Sequence, residues 1–85
     1  MAKKILVVDD EPEIVELLKS RLTVSGYDVV TAGDGATALR KVRDEKPDLL
    51  ILDMMLPDIQ GSTICAQVKG DEKTSFIPII LLTAL

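Results

Sequence analysis

The sequence predicts a doubly wound α/β fold with a parallel sheet of strand order 2-1-3-4, and three observations carry that prediction. Four short runs, Ile5-Leu6-Val7-Val8, Val29-Val30-Thr31, Leu49-Leu50-Ile51-Leu52 and Ile79-Ile80-Leu81-Leu82, are rich in Val, Ile and Leu without polar alternation. Strands of a parallel sheet read this way because helices cover both of their faces. The segments between the runs carry apolar residues at helical spacing, giving the order β-α-β-α-β-α-β and right-handed crossovers. The first and third runs both end in acid, at Asp9-Asp10 and at Asp53.

Each connecting segment has its own start and stop signals. The first helix opens at Pro12, suited to an opening turn, places Ile14, Leu18 and Leu22 on one stripe with Val15 beside it, and stops at Gly26. The second opens near Asp34-Gly35, turns Ala38, Leu39 and Val42 inward, and halts before Pro47. Ser62 is the expected cap of the third, whose inward residues are Ile64, Cys65 and Val68, ending at Gly70-Asp71. Lys69 to Ser75 reads as a loop, and Pro78 tolerates only the start of a strand.

Composition narrows the function classes. A chain of 85 residues makes at most one domain, and 47% apolar content must be packed internally or against a partner. The net charge of −4 and the presence of only Tyr27 and Phe76 as aromatics argue against nucleic acid and anionic lipid as partners of this segment. One cysteine, Cys65, and no histidine exclude an internal disulfide and Cys/His zinc sites, which fits a cytoplasmic setting. The apolar run after Lys3-Lys4 ends at Asp9, too short for a signal peptide, and no run could span a bilayer.

In a parallel sheet, ligands gather at the carboxyl ends of the strands. With the third strand beside the first, Asp9, Asp10 and Asp53 fall close together, and bare carboxylates at that range repel. Mg²⁺, a hard cation that takes carboxylate, phosphate and water oxygens, resolves the repulsion and suits phosphoryl transfer to a carboxylate. Each acid also has a plain structural reading. Asp10 and Glu11 before Pro12 could simply start a helix, and Asp53 could be a turn residue. Two acidic ends on neighbouring, otherwise apolar strands favour the site.

Three segments carry a resemblance over the whole chain: Ile5 to Pro12, Asp48 to Gly61, and Pro78 to Ala84. They are similar, in order and spacing, to the receiver domains of two-component response regulators, which have a flavodoxin-like fold. The resemblance implies that Asp53 is the phosphoacceptor and that Mg²⁺ is held by Asp10 and Asp53 directly, by Asp9 through water, and by the Met55 backbone carbonyl. Thr83 would be the switch hydroxyl, and the donor a histidine kinase or phosphotransfer protein. The domain would signal rather than turn over substrate, with at most self-phosphorylation and slow self-dephosphorylation. Complete members have five strands and five helices, so residues 1–85 read as one incomplete receiver domain, without the last strand, its phosphoryl-pairing lysine and the last two helices.

Three alternatives compete. A receiver-like scaffold would self-associate as a homodimer through its exposed fourth strand, unphosphorylated. A nucleotide-binding module would use Gly33-x-Gly35-x-x-Ala38, which follows a strand and opens a helix, with Asp53 twenty residues on from Gly33. An aspartate-based phosphohydrolase would need a second acid where Met55 stands.

Overall fold

The computed structural model describes residues 2–82. Four strands, β1 (Lys4–Val8), β2 (Asp28–Ala32), β3 (Leu49–Asp53) and β4 (Ile79–Leu82), alternate with α1 (Pro12–Val24), α2 (Gly35–Glu45) and α3 (Gly61–Gly70). All strand pairs are parallel, and the sheet order is β2-β1-β3-β4, as the sequence predicts. Every strand end that points to the same rim is therefore a carboxyl end.

The two faces of the sheet are filled differently. Leu6, Val8, Leu50 and Leu52 point to one face, where they join Ala38 and Val42 of α2, Ile64 and Val68 of α3, and Ile77 in a continuous buried cluster. Leu6, Leu50, Leu52, Ile64 and Ile77 are fully buried, each such side chain contributing about 1.5–3 kcal/mol. The alternate residues Ile5, Val7 and Ile51 point the other way and meet Leu18 and Leu22 of α1. Among the described residues α1 is the one helix that covers this second face. Its predicted stripe is present, but none of its residues is fully buried, and Leu17 and Val24 stand exposed.

The helix ends follow local chemistry. The Gly26 N–H donates to the Thr23 carbonyl and the Tyr27 N–H to that of Leu22, with Gly26 at φ 97°, so α1 closes in a Schellman motif. Asp34 caps α2, its Oδ1 accepting the Thr37 N–H at 2.7 Å. The expectation for α3 needs correction. The helix begins at Gly61, Gln60 occupies the cap position without a side-chain bond, and Ser62 lies inside the first turn. The start is set by backbone approach instead: the Gly61 N–H donates to the Met54 carbonyl at 3.0 Å. A Cβ on Gly61 would lie 2.7 Å from both the Asp53 carbonyl oxygen and Met54 Cα. α3 also extends through Lys69 and Gly70, shortening the predicted loop, and Lys69 Nζ reaches on to the Ser75 and Ile77 carbonyls.

No helix among the described residues is long and apolar enough to cross a membrane. Because the space at Gly61 is closed by backbone rather than by a movable side chain, Gly61→Ala is expected to destabilise the fold by about 1–3 kcal/mol, the usual range for overpacking. Urea unfolding followed by far-ultraviolet circular dichroism measures this, whereas Gly33→Ala, with nothing within 4 Å of the added carbon, should change the midpoint far less.

Candidate functional site

The parallel register between β1 and β3 pairs Val8 with Leu52, so Asp9 and Asp53 leave the sheet side by side at its carboxyl rim. Asp10 follows Asp9 on the turn into α1. One carboxylate oxygen from each of Asp9, Asp10 and Asp53 lies within 4.8 Å of the others. Asp9 is buried, 6% exposed, whereas Asp53 is half-buried and Asp10 exposed. The three acids predicted from sequence are thus brought together, graded from a buried wall to an open mouth.

Local hydrogen bonds fix two of the three. Asp9 Oδ1 accepts the Glu11 N–H at 2.9 Å, and the Asp9 N–H continues the β1–β2 ladder to the Ala32 carbonyl at 3.1 Å. Asp53 Oδ1 accepts the Met55 N–H at 3.1 Å. Burial pushes the Asp9 carboxyl above its ordinary range; the Glu11 N–H opposes this, and the neighbouring charges of Asp53 and Asp10 add to it. No ion pair among the described residues involves any of the three; those present join Lys4 to Glu45 and Arg43 to Asp44. Three close carboxylates without a protein cation have the donor chemistry of a hard divalent ion and suit Mg²⁺.

The remaining predicted residues are placed less completely. Met55 lies near the start of the loop leaving Asp53, is 78% exposed, and forms an isolated antiparallel bridge with Gln60. Thr83 lies outside the described residues. Its predecessor Leu82 is paired with Asp53, and the Met54 N–H donates to the Leu82 carbonyl at 3.3 Å.

Asp58 is a residue that sequence reasoning passed over. Its Oδ1 accepts the Gly35 N–H at 2.7 Å and the Ile59 N–H at 2.9 Å, while Oδ2 accepts the Ala36 N–H at 3.0 Å. Donation from Gly35 and Ala36 holds its carboxyl below the ordinary range. With Asp34 supplying its side chain to Thr37 and its carbonyl to Ala38, the first four N–H groups of α2 are all taken. This overturns the nucleotide-binding alternative for Gly33-x-Gly35-x-x-Ala38. The N–H groups that would cradle a pyrophosphate are filled by the chain's own oxygens, and two carboxylates stand where the ligand's charge would lie. Gly35 is required for another reason, since a Cβ there would meet Ile59 Cβ at 2.8 Å. The Asp58 bond to Gly35 joins positions 23 residues apart, so no local signal could have revealed it.

Comparison with known proteins agrees with this geometry. The family model for the response regulator receiver domain matches residues 5–85. The chain is 56% identical over 84 residues to the alkaline phosphatase synthesis transcriptional regulatory protein PhoP of Bacillus subtilis, covering 99% of this chain and 34% of PhoP. Among solved structures, the chemotaxis response regulator CheY4 of Vibrio cholerae superposes with a TM-score of 0.96 at 33% identity, over 100% of this chain and 71% of that one. The receiver domain of the sensor histidine kinase PA1611 from Pseudomonas aeruginosa gives a TM-score of 0.92 at 30% identity, over 99% of this chain and 69% of that one. That structure contains a magnesium ion coordinated in its active site cleft. The chain spans about a third of the length of PhoP, and on its fold, its acidic rim and these matches it belongs to the response regulator receiver domain family.

Proposed function

We propose that this chain is the phosphoacceptor of a two-component relay, taking a phosphoryl group onto Asp53 from a histidine kinase or phosphotransfer protein. The observation that carries the reading is the meeting of Asp9, Asp10 and Asp53 with no ion pair to any of them among the described residues. Asp10 and Asp53 would hold Mg²⁺ directly, Asp9 through water, and the Met55 carbonyl would complete the protein ligands. The magnesium ion in the active site cleft of the PA1611 receiver supports Mg²⁺ as the ion. When bound, the ion supplies neutralisation of the carboxylates and of the incoming phosphoryl oxygens.

The chain's own groups then have distinct tasks. Asp53 Oδ1 is held by the Met55 N–H, which leaves Oδ2 without a hydrogen-bond partner among the described residues. Oδ2 is the attacking oxygen: an O–P bond forms as the P–N bond of a phosphohistidine breaks, and the departing imidazole nitrogen keeps the electron pair and takes a proton from solvent. Asp9, behind the site, keeps its carboxylate aimed at the rim through the Glu11 N–H. Thr83 directly follows the residue paired with Asp53, and that register supports its role as the hydroxyl that bonds a phosphoryl oxygen and draws the following loop inward. Self-phosphorylation from small donors and slow self-dephosphorylation would be the limit of its catalysis.

A second property, homodimerisation through β4, is favoured by one observation. β4 is the sheet's edge among the described residues, and it exposes Ile80 (50%) from one face and Leu81 (43%) from the other. An apolar edge with free backbone groups recruits another strand.

With Mg²⁺ and acetyl phosphate, intact mass should rise by one phosphoryl group, and Asp53→Asn or removal of Mg²⁺ by chelation should abolish the adduct; an adduct retained in Asp53→Asn would refute the assignment. Sedimentation should show a concentration-dependent dimer that Leu81→Lys converts to monomer, and a monomer at every concentration in the unaltered chain would refute the β4 interface.

A further inference from the structure

The loop that leaves Asp53, residues 54–60, is closed on itself. The Gly61 N–H bonds the Met54 carbonyl, Met55 bridges to Gln60, and the Met55 N–H bonds Asp53 Oδ1. Such a loop has a defined internal shape, yet it could still tilt as a unit about its two ends. Leu56 and Ile59 press it against the main cluster, but apolar contact is non-directional and fixes tilt weakly. The loop's backbone is tied to β3 and β4 at its start, by the Met55 N–H to Asp53 Oδ1 and the Met54 N–H to the Leu82 carbonyl. Among the described residues, Asp58 is the one side chain of the loop that hydrogen-bonds another element.

Those bonds are well suited to fixing direction. Both oxygens of one carboxylate are used, on two successive N–H groups of an 11-residue helix whose N-terminus favours negative charge. Two bonds from one planar group set both position and orientation, and Gly35 lets Ile59 approach closely beneath them. The anchor is rigid on its other side, because Ala38 and Val42 seat α2 in the core.

We propose that Asp58 is a positioning residue for the acidic site, clamping the loop that carries Met55 to the N-terminus of α2. The proposal deepens the metal and phosphoacceptor reading and rests on it for its functional meaning. Asp58 is not among the proposed metal ligands; it acts by fixing the backbone between Asp53 and Gly61.

Asp34 supplies the discriminating control, since it caps the same helix end and makes no hydrogen bond to the loop among the described residues. The test compares the unaltered 85-residue chain with Asp58→Ala, Asp58→Asn and Asp34→Ala, each confirmed folded by its nuclear magnetic resonance spectrum. The first readout, independent of metal, is amide hydrogen exchange at Met55 and Gly61. Asp58→Ala should speed it by about tenfold, Asp58→Asn, which keeps one acceptor oxygen, by less, and Asp34→Ala should leave it unchanged. The second readout is Mg²⁺ titration followed on the same spectra. Asp58→Ala should bind about tenfold more weakly, the low end for losing an outer partner of a metal site, and Asp34→Ala should bind as the unaltered chain does. Equal exchange in Asp58→Ala and Asp34→Ala would overturn the clamp, whether or not metal binds. Failure of the unaltered chain to bind Mg²⁺, with exchange still selective for Asp58→Ala, would overturn the metal reading and leave the clamp standing.

Discussion

Parallel pairing of β1 with β3, Val8 opposite Leu52, is the constraint from which the site follows. Side chains alternate across a strand, so a shift of one residue would turn Leu50 and Leu52 out of the main cluster and carry Asp53 out of step with Asp9. Core burial and site geometry are therefore fixed by the same register. The hydrophobic term enforces it, because the residues that would lose their burial are among the most completely buried in the chain. The acids themselves do not hold the strands together. Their mutual repulsion opposes the arrangement; burial raises the Asp9 carboxyl above its ordinary range, and the charges of Asp53 and Asp10 add to that rise.

A site assembled against its own electrostatics has the donor chemistry that suits a cation. The protein uses local backbone donors to aim the carboxylates, Glu11 for Asp9 and Met55 for Asp53, and leaves the net negative charge uncompensated by side chains among the described residues. Neutral donors orient without supplying the charge that an ion would bring. Self-sufficiency of another kind appears at α2, where the chain's own carboxylates occupy the helix N-terminus. The anion-binding capacity of that helix goes into holding the fold, and Gly35 of the Gly-rich motif serves close packing against Ile59 rather than a nucleotide.

The two sheet faces differ in a way that bears on partners. The α2/α3 face packs over a continuous apolar cluster, whereas among the described residues α1 alone covers the other face and stays half-exposed. β4 lies at the junction, with Ile80 on one side and Leu81 on the other. Membership of the receiver family makes this a signalling domain, and Ile80 and Leu81 are its exposed apolar residues on β4.

Much of this was legible in the sequence, and the reason is local. Uninterrupted apolar runs name the strands, and Pro12, Gly26, Asp34 and Pro47 mark the helix limits. An acid that closes such a run must leave the sheet at its carboxyl rim, where ligands gather. The sequence by itself thus determined the element order, the strand order and the three acids of the pocket. It misplaced the cap of α3 because Gly61 is positioned by the Asp53 and Met54 backbone rather than by a side chain of its own turn. It left the purpose of Gly35 open and passed over Asp58, because their partners are more than 20 residues away and meet only when the third strand is seated beside the first. Only the tertiary structure decided which N–H groups were filled, which acid was buried and which loop was anchored, since hydrogen-bond partners and desolvation belong to the packed chain and not to any segment of it.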